Sequence, residues 1–490
     1  MAARIAVHGH FYQPPREDPW TGEIDRQPSA APFHDWNERV HAESYLNMVF
    51  ADLETDQGEQ VVNNFERMSF DVGPTLMSWL ERFHPRTYAR ILIADKKSHE
   101  QLGAGNAIAQ AFHHTILPLS NVRDARTQIR WGIADFRYRF GRDPLGLWLP
   151  ETAVNDDVLG ILIDENIAFT VLAPWQAGRW RRPGDEWVDA ATHGIDTRVP
   201  YRYLHRDNSG RSLTLFFYDG HIAQTIAFQN AMASAPAFID MFESRADEPF
   251  HLIHAATDGE TYGHHQKFGE IGLAYALFVE ADKRDVHITN YAAHMNEYPA
   301  ELEVELPEGD GTSWSCTHGV GRWKVNCGCV TGGEPGWNQE WRAPLRAGLE
   351  VIRTRADEIF ERMGQDFFLD PWVARDRYVD VVIGATDLDS FLGEVASGPL
   401  DDAARGRAHA LLELQRHSMS MFTSCGWFFA DVAGIEGMQV LRYAARTIEL
   451  IEELDQASPR DEALVILDAA KSNDPEAGTA AGSLAELLAR

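Results

Sequence analysis

The chain has 490 residues, of which 44% are hydrophobic and 11% are aromatic, a composition of folded globular proteins rather than of disordered chains. Its net charge of −30 repels nucleic acid and anionic membranes, so we expect neither as a partner. No stretch is long and apolar enough to predict a membrane-spanning helix. We expect a cytoplasmic protein, since no secretion signal is visible and four cysteines are too few for a disulfide framework.

Short apolar runs alternate with helical patterns over about the first 300 residues. The runs that predict strands are residues 4–7, 61–65, 145–149, 169–173, 213–218, 251–256 and 286–291. Residues 74–83 predict a helix, because a proline begins them and their apolar residues share one face. Strands separated by helices favour parallel βαβ units, and about seven of them favour a barrel over an open sheet. No glycine-rich dinucleotide motif is present, so we expect no cofactor.

The pattern becomes helical after about residue 305. Residues 341–363, 403–421 and 437–454 have helical periodicity, and residues 471–490 predict a turn followed by a short helix. No further series of strands follows. The sequence therefore predicts an α/β fold with two domains, a barrel over residues 1–305 and a helical domain over residues 306–490.

Two histidines end the first predicted strand. His8 and His10 are separated by one residue, and alternate residues of a strand point to the same side. In a parallel barrel the active site lies at the carboxyl ends of the strands. We therefore expect both imidazoles at the active site, where they can bind a ligand through hydrogen bonds or hold a metal.

Two carboxylates follow other predicted strands. Residues 146–151, GLWLPE, end in Pro150 and Glu151, and proline terminates a strand because it cannot donate to the sheet. Residues 256–265, ATDGETYGHH, place Asp258 directly after an apolar run. Glycoside cleavage needs two carboxyl groups, one to attack or to activate water and one to protonate the departing oxygen. The sequence therefore predicts Glu151 and Asp258 as a catalytic pair.

Further candidates flank these motifs. Flat aromatic faces bind sugars, and the chain has 14 tryptophans, although most tryptophans in a protein of this size are buried. The predicted substrate-binding residues comprise histidines, a glycine that lets the backbone approach a ligand, and tryptophans: His8, His10, His114, Trp148, Gly259, His264, Trp314 and Trp323.

A cysteine-rich segment remains open in function. Cys316, His318, Cys327 and Cys329 are four potential metal ligands, but zinc sites usually space their cysteines by two to four residues. Buried thiols beside a glycine-rich loop explain the same pattern. We assign no metal ligand from the sequence.

Taken together in their order along the chain, these motifs resemble glycoside hydrolase family 57. The matching segments are His8-Gly9-His10 with Gln13-Pro14, residues 112–119, residues 146–151, Thr257-Asp258 with Gly263, and residues 314–323. The resemblance implies a (β/α)7 barrel followed by a helical domain that covers the active-site cleft, with activity on α-glucans. It also implies that Glu151 is the nucleophile of a retaining mechanism, that Asp258 is the general acid/base, and that His114 contacts sugar.

Two alternatives differ in chemistry. A metal-dependent polysaccharide deacetylase on a related barrel would use His8, His10 and an acidic residue as metal ligands, but it leaves Glu151 without a role. A carbohydrate-binding protein that has lost catalysis would bind α-glucan without turnover. The sequence leaves open the sugar, the linkage, the choice between hydrolysis and transfer, and the oligomeric state.

Overall fold

The computed structural model describes residues 3–55, 58–248 and 250–489. Its internal contacts divide the chain into two compact units, the first formed by residues 1–13, 26–111 and 136–314 and the second by residues 14–25, 112–135 and 315–490. Both units therefore contain segments from the first half of the chain. The two domains predicted from the sequence, residues 1–305 and 306–490, stay predictions.

Seven parallel strands form the core of the first unit. In chain order they are β1 (Arg4–Phe11), β2 (Ser69–Val72), β3 (Ala109–Gln110), β4 (Leu147–Trp148), β5 (Phe169–Leu172), β6 (Ser212–Phe217) and β7 (Leu252–Asp258). Strand β1 is buried along seven of its eight residues, as expected for a parallel strand that is covered on both faces. This burial explains why Ile5, Ala6 and Val7 form an apolar run without alternation.

The strands follow one another around a barrel. Strand β1 pairs with β2, β3 with β4 and β5 with β6, and single parallel bridges connect β2 to residue 107 and residue 146 to β5. Strand β7 returns to β1 in parallel. Between β6 and β7, the described residues form one backbone hydrogen bond, from Asp219 N to His254 O at 2.8 Å. This arrangement confirms the predicted (β/α)7 barrel with an incomplete closure.

Helices and short turns surround this barrel. The helix Pro74–Phe83 begins at its first proline, as predicted, and buries Leu76, Met77 and Leu80 on one face. The α-helices of this unit are Trp36–Val40, Leu46–Val49, Pro74–Phe83, Pro85–Leu102, Asp156–Asp164, Ala190–His193, Gly220–Phe228, Ala235–Glu243, Gly269–Tyr275, Ala281–Lys283 and Tyr291–Glu297. The helix Val122–Phe140 begins in the second unit and ends in the first.

Other strands of the first unit lie outside the seven-strand barrel. Ala51–Thr55 and Gly58–Val62 form an antiparallel hairpin, and His287–Ile288 pairs with the start of β1. The strands that extend the sheet beyond β6 are Tyr201–Leu204, Leu302–Glu305, Arg179–Arg181 and Val188–Asp189.

The second unit is helical, which confirms the prediction for the later part of the chain. Its α-helices are Arg342–Gly364, Pro371–Arg377, Val379–Val382, Leu388–Val395, Asp402–Ser420, Cys425–Phe428, Ile435–Leu454, Arg460–Leu467 and Ala480–Leu488. The longest, Arg342–Gly364, buries Leu345, Leu349, Ile352 and Ile359, a spacing that places them on one face. Among the described residues no helix is both long and apolar enough to span a membrane.

One strand prediction was wrong. Residues 61–65 were expected to form a barrel strand, but residues 61–62 end the hairpin strand Gly58–Val62 and Asn64–Glu66 is a 3-10 turn. The barrel strand is β2, which contains the buried carboxylate Asp71. A polar side chain inside a short strand interrupts the apolar run by which a buried parallel strand is recognised.

Candidate active site

The register of the barrel brings three polar residues side by side. His10 on β1 lies opposite Asp71 on β2 and opposite Asp258 on β7. All three lie near the carboxyl ends of their strands, where (β/α) barrels carry their active sites. The predicted residues His10 and Asp258 are therefore neighbours, and Asp71 joins them although the sequence analysis did not identify it.

Asp71 is a bridge between the two histidines of β1. Its Oδ1 lies 3.0 Å from His8 Nε2 and its Oδ2 lies 2.8 Å from His10 Nδ1. His8 Nδ1 lies 3.0 Å from Ser69 Oγ. The three side chains of His8, His10 and Asp71 are all buried, so this hydrogen-bonded group holds both imidazoles in fixed orientations.

The two imidazoles differ in charge. Burial lowers the pKa of His8 more than its hydrogen bond to Asp71 raises it. Burial acts in the same direction on His10, but the charge and hydrogen bond of Asp71, followed by the charges of Asp258 and Glu260, raise its pKa to about 9. At neutral pH the site therefore contains a neutral His8 and a cationic His10.

An aromatic layer supports these imidazoles. The Trp148 ring stacks on His8 with centroids 4.6 Å apart and on His10 with centroids 5.4 Å apart. Trp314 contacts Trp148 edge to face at 5.2 Å. Trp148 is fully buried, and its contacts place it beneath the histidines. Its predicted contact with the substrate stays a prediction.

Glu151 lies on a strained turn. Strand β4 ends at Trp148, and the turn Pro150–Thr152 follows with Glu151 at φ 57° and ψ 21°. Thr152 also has a positive φ, 49°. Such conformations cost on the order of 1–3 kcal/mol each for residues other than glycine, and they persist where surrounding contacts impose them, commonly at active sites.

Gln176 supplies the contacts that hold this turn. Its Oε1 accepts from Thr152 Oγ1 at 2.9 Å, and its Nε2 donates to Thr152 O at 2.8 Å. Nε2 also donates to Thr312 Oγ1 at 3.1 Å, and the whole side chain is buried. Gln176 therefore fixes the backbone that presents Glu151. No local pattern signals this role, because Gln176 lies 24 residues after Thr152.

Trp314 binds the Glu151 carboxylate directly. Its Nε1 donates to Glu151 Oε2 at 3.0 Å, and its backbone N donates to Glu151 O at 3.1 Å. These two hydrogen bonds fix the position of the carboxylate relative to its own backbone. The predicted residues Glu151 and Trp314 are thus brought together, with the indole acting on the carboxylate rather than only presenting a flat face.

Asp258 has the opposite environment. Its side chain is exposed yet surrounded by protein groups whose desolvating effect raises its pKa to about 7, with the charge of His10 opposing and those of Glu260, Glu151 and Asp71 adding. Water also reaches the side chain, and solvent screening weakens the influence of the neighbouring charges. Because Glu151 contributes to this shift, the two carboxyl groups are close enough to interact.

Glu260 is a further buried carboxyl group beside Asp258. Its Oε1 accepts from Tyr12 N at 3.2 Å and from the hydroxyl of Tyr45. Burial raises its pKa in spite of the Tyr45 hydrogen bond. Glu260 belongs to the segment 256–265 that contains Asp258, but the sequence alone predicts no separate role for it.

Gly259 and His264 have structural explanations. A Cβ atom at Gly259 would lie 2.3 Å from the Phe11 ring, so packing against Phe11 requires glycine there, and a close approach to sugar is not needed to explain it. His264 is half-buried and its Nδ1 binds Glu43 Oε2 at 2.5 Å. The predicted contact with the substrate stays a prediction for both residues.

Comparisons with known proteins identify the family of this chain. The sequence profile of Glycosyl hydrolase family 57 matches residues 19–307, more than half of the chain. The chain belongs to glycosyl hydrolase family 57. A second profile, Domain of unknown function (DUF3536), matches residues 337–487. The predicted family and the predicted class of enzyme, a glycoside hydrolase or transglycosylase, are thereby confirmed, and a carbohydrate substrate follows from the family.

Solved structures of family 57 enzymes share this fold. The exo-type maltose-forming amylase from Pyrococcus sp. ST04 superposes with a TM-score of 0.70 at 15% identity, covering 95% of this chain and 83% of that chain. For the family 57 branching enzyme from Pyrococcus horikoshii the TM-score is 0.56 at 15% identity, covering 100% and 95%. For 4-alpha-glucanotransferase from Thermococcus litoralis it is 0.55 at 14%, covering 93% and 60%. No curated protein matches the sequence.

Two other predicted sugar-binding residues of this family 57 chain lie in the second unit. His114 is buried at a φ of 54°, and its Nδ1 lies 2.6 Å from Ser424 Oγ. Its contact with sugar stays a prediction. Trp323 is fully buried and its carbonyl oxygen accepts from Arg346 Nε at 2.7 Å. Its contact with sugar also stays a prediction.

The two alternative functions are not favoured. The family match is to glycosyl hydrolases rather than to deacetylases. A catalytically inactive binding protein does not need Glu151 in a strained turn or a second carboxyl group with a raised pKa.

Proposed function

We propose that this family 57 enzyme cleaves or transfers α-glucan chains by a retaining mechanism, with Glu151 as the nucleophile and Asp258 as the general acid/base. The observation that carries the proposal is the contrast between the two carboxyl groups. Glu151 lies on a strained turn and accepts a hydrogen bond from Trp314, whereas the surroundings of Asp258 raise its pKa to about 7, which favours the acid. A retaining glycosidase needs one carboxyl group positioned to attack and a second that holds a proton.

The first step would form a glycosyl-enzyme. The Glu151 carboxylate attacks the anomeric carbon, and the bond from that carbon to the glycosidic oxygen breaks. The electron pair of that bond stays on the oxygen, which takes the proton of Asp258 and leaves as a sugar hydroxyl. Asp258 is then a carboxylate beside the cationic His10, which stabilises its new charge.

The second step would release the sugar. The Asp258 carboxylate removes a proton from water or from an acceptor sugar hydroxyl, whose oxygen attacks the anomeric carbon. The bond to Glu151 breaks and its electron pair returns to the carboxylate. Water as the acceptor gives hydrolysis, and a sugar hydroxyl gives transfer.

The substrate class rests on relatives. The similar structures are named as a maltose-forming amylase, a branching enzyme and a 4-alpha-glucanotransferase, which supports an α-linked glucan for this chain as well. The net charge of −30 supports a neutral substrate and opposes nucleic acid as a partner. We also infer a cytoplasmic location, supported by four cysteines of which none forms a disulfide in the described residues.

A product screen tests this function. The protein is incubated with maltooligosaccharides, amylose and glycogen, and the products are separated by chain length and linkage, with the anomeric configuration followed by NMR at early times. Retention gives the α-anomer first. Shorter chains indicate hydrolysis, redistributed chains indicate transfer, and new branch points indicate branching.

Variants assign the two carboxyl groups. Glu151→Gln and Asp258→Asn are each expected to lose at least about 10³-fold in kcat, and external azide should restore product formation to one of them as a glycosyl azide. Asp52→Asn, an exposed residue of the first unit, is the matched control and should keep wild-type activity. Full activity in Glu151→Gln, or a β-anomer as the first product, contradicts the proposal.

A further inference from the structure

A cluster of four side chains in the second unit has the geometry of a metal site. The ligand atoms of Cys316, His318, Cys327 and Cys329 all lie within 4.8 Å of one another. Cys316 Sγ and Cys327 Sγ are 3.9 Å apart, and Cys329 Sγ and His318 Nδ1 are 3.5 Å apart. A disulfide has its sulfurs about 2.05 Å apart, so the cysteines are placed as separate thiols.

These separations match tetrahedral coordination. Zinc binds sulfur at about 2.3 Å and imidazole nitrogen at about 2.0–2.1 Å. Two ligands at a tetrahedral angle are then about 3.5–3.8 Å apart, which follows from those bond lengths. The observed 3.9 Å and 3.5 Å lie close to this range. Four soft ligands with no open position are typical of a structural zinc site.

Glycines explain how ligands separated by only one residue, Cys316 and His318 or Cys327 and Cys329, can reach a tetrahedral arrangement. Gly319 follows His318 with a φ of 72°, and Gly328 lies between two of the cysteines with a φ of 84°. A Cβ atom at Gly321 would lie 3.2 Å from Cys327 Cβ and 3.3 Å from His318 Cβ. Turns and close approaches that only glycine allows without strain therefore bring the two halves of the motif together.

A buried cation lies beside the cluster. Arg342 is fully buried, and its Nη1 donates to Cys329 O at 2.8 Å. Its charge interacts with the sulfurs of all three clustered cysteines, and within the described residues its Nε and Nη2 have no hydrogen-bond partner. Three thiolates, one neutral imidazole and one divalent zinc sum to a charge of about −1, which a buried guanidinium balances.

The surrounding segment has little secondary structure to hold it. Residues 315–341, all of them described, contain one regular element, the three-residue turn Gly321–Trp323. Loops of this length without regular structure are uncommon in compact folds. A metal that crosslinks such a loop contributes its binding free energy to folding.

We propose that Cys316, His318, Cys327 and Cys329 bind one zinc ion that fixes residues 315–341 against the start of the helix Arg342–Gly364. Cys316 is buried, Cys327 and Cys329 are half-buried and His318 is exposed. The ion therefore lies near the surface of the second unit, with His318 on the solvent side. Its role is structural, since all four coordination positions are filled by the protein.

Metal analysis of the full-length protein tests this site. Protein produced in zinc-supplemented medium and purified under reducing conditions should contain about one zinc per chain. After chelation, titration of the wild-type apoprotein with Co²⁺ should give thiolate-to-cobalt charge-transfer absorption and tetrahedral ligand-field bands that saturate at one equivalent. This titration does not depend on the folding of any variant.

Variants locate the ion. Cys316→Ser and Cys327→Ser should each lose the equivalent of zinc, and His318→Ala should bind it more weakly. Cys425→Ser, a matched control at the cysteine outside the cluster, should retain it, as should His10→Gln in the barrel.

Three results would overturn the proposal. They are a wild-type protein without stoichiometric zinc and without the cobalt spectrum, a Cys316–Cys327 disulfide found by alkylation and mass spectrometry in the reduced preparation, or zinc lost in His10→Gln and retained in Cys327→Ser. Iron in place of zinc overturns the identity of the metal.

Discussion

His10 Nδ1 donates to Asp71 Oδ2 at 2.8 Å, and both side chains are buried. This pairing is the main favourable influence on the protonated imidazole. It links the protonation of His10 on β1 to the carboxylate of Asp71 on the neighbouring strand β2.

The pH dependence of stability should reveal this pairing. The pKa of His10 is raised from 6.5 to about 9, so the folded state holds a proton that the unfolded chain releases earlier. The stabilisation is complete below about pH 6.5 and is lost as the pH rises through about 9. Melting temperatures of the wild type should fall across this window, and those of His10→Gln should fall less. His99→Gln, on the exposed face of the helix Pro85–Leu102, should behave like the wild type.

The pH dependence of activity should report Asp258. In the proposed mechanism the acid form of Asp258 acts in the first step, so kcat/KM should decline as the pH rises through about 7, the value to which its pKa is raised. The charge of Glu260 is one cause of that rise. Glu260→Gln should therefore move the alkaline limb to lower pH, on the order of half a unit because water reaches the Asp258 side chain. Glu308→Gln, an exposed control, should leave the limb unchanged, and a limb that moves upward in Glu260→Gln would contradict the assignment.

The N–H group of the Trp314 indole should contribute to catalysis through its hydrogen bond to Glu151. Trp314→Phe keeps a ring against Trp148 but removes the 3.0 Å hydrogen bond to Glu151 Oε2. Hydrogen bonds to charged groups contribute about 1.5–3 kcal/mol, so kcat/KM should fall roughly 10- to 150-fold while the melting temperature changes little. Trp180→Phe, which removes a donor to Gly194 O on the same unit, is the matched control. Unchanged kinetics in Trp314→Phe would mean that this bond does not act on the nucleophile.

Gln176 should be required for the strained turn. Gln176→Ala removes four hydrogen bonds, to the carbonyl and hydroxyl of Thr152, to the hydroxyl of Thr312 and from the backbone N of Ala173. We expect Glu151 and Thr152 to relax towards ordinary backbone angles, with kcat reduced on the order of 10²-fold and KM less affected, as misplacement of a catalytic group produces. Gln60→Ala, at an exposed position of the hairpin, should have no such effect. A crystal structure of Gln176→Ala that retains the wild-type turn would show that other contacts impose it.

Sequence patterns predicted where strands and helices begin or end, but not which side chains meet in space. Proline at the start of the helix Pro74–Phe83 and after strand β4 are local signals, and the structure has both boundaries where they predict. Glu151 and Asp258 were recognisable because each directly follows an apolar run. Asp71 was not, because it lies inside its strand, and its importance depends on strand pairing.

Burial was the other quantity that the sequence could not supply. Trp148 and Trp314 are chemically identical, yet one is fully buried and the other is half-buried with its donor on Glu151. Likewise, Gly259 looks like a residue that admits a ligand, although its neighbour in space is the Phe11 ring. Such distinctions depend on tertiary neighbours that no local pattern encodes.

The gap between β6 and β7 has a consequence for hydrogen exchange. Strand β7 carries Asp258, and its ladder runs along β1, while a single backbone bond among the described residues connects it to the β6 side. Beside that gap, Leu252 N at the start of β7 donates to Arg198 O at 2.9 Å instead of to a barrel strand. Local opening, which follows the weakest edge of a barrel, should therefore begin at this seam. In deuterium labelling the amides of β7 next to the gap should exchange before those of β1, so the strand that carries Asp258 should also be where the barrel fluctuates first.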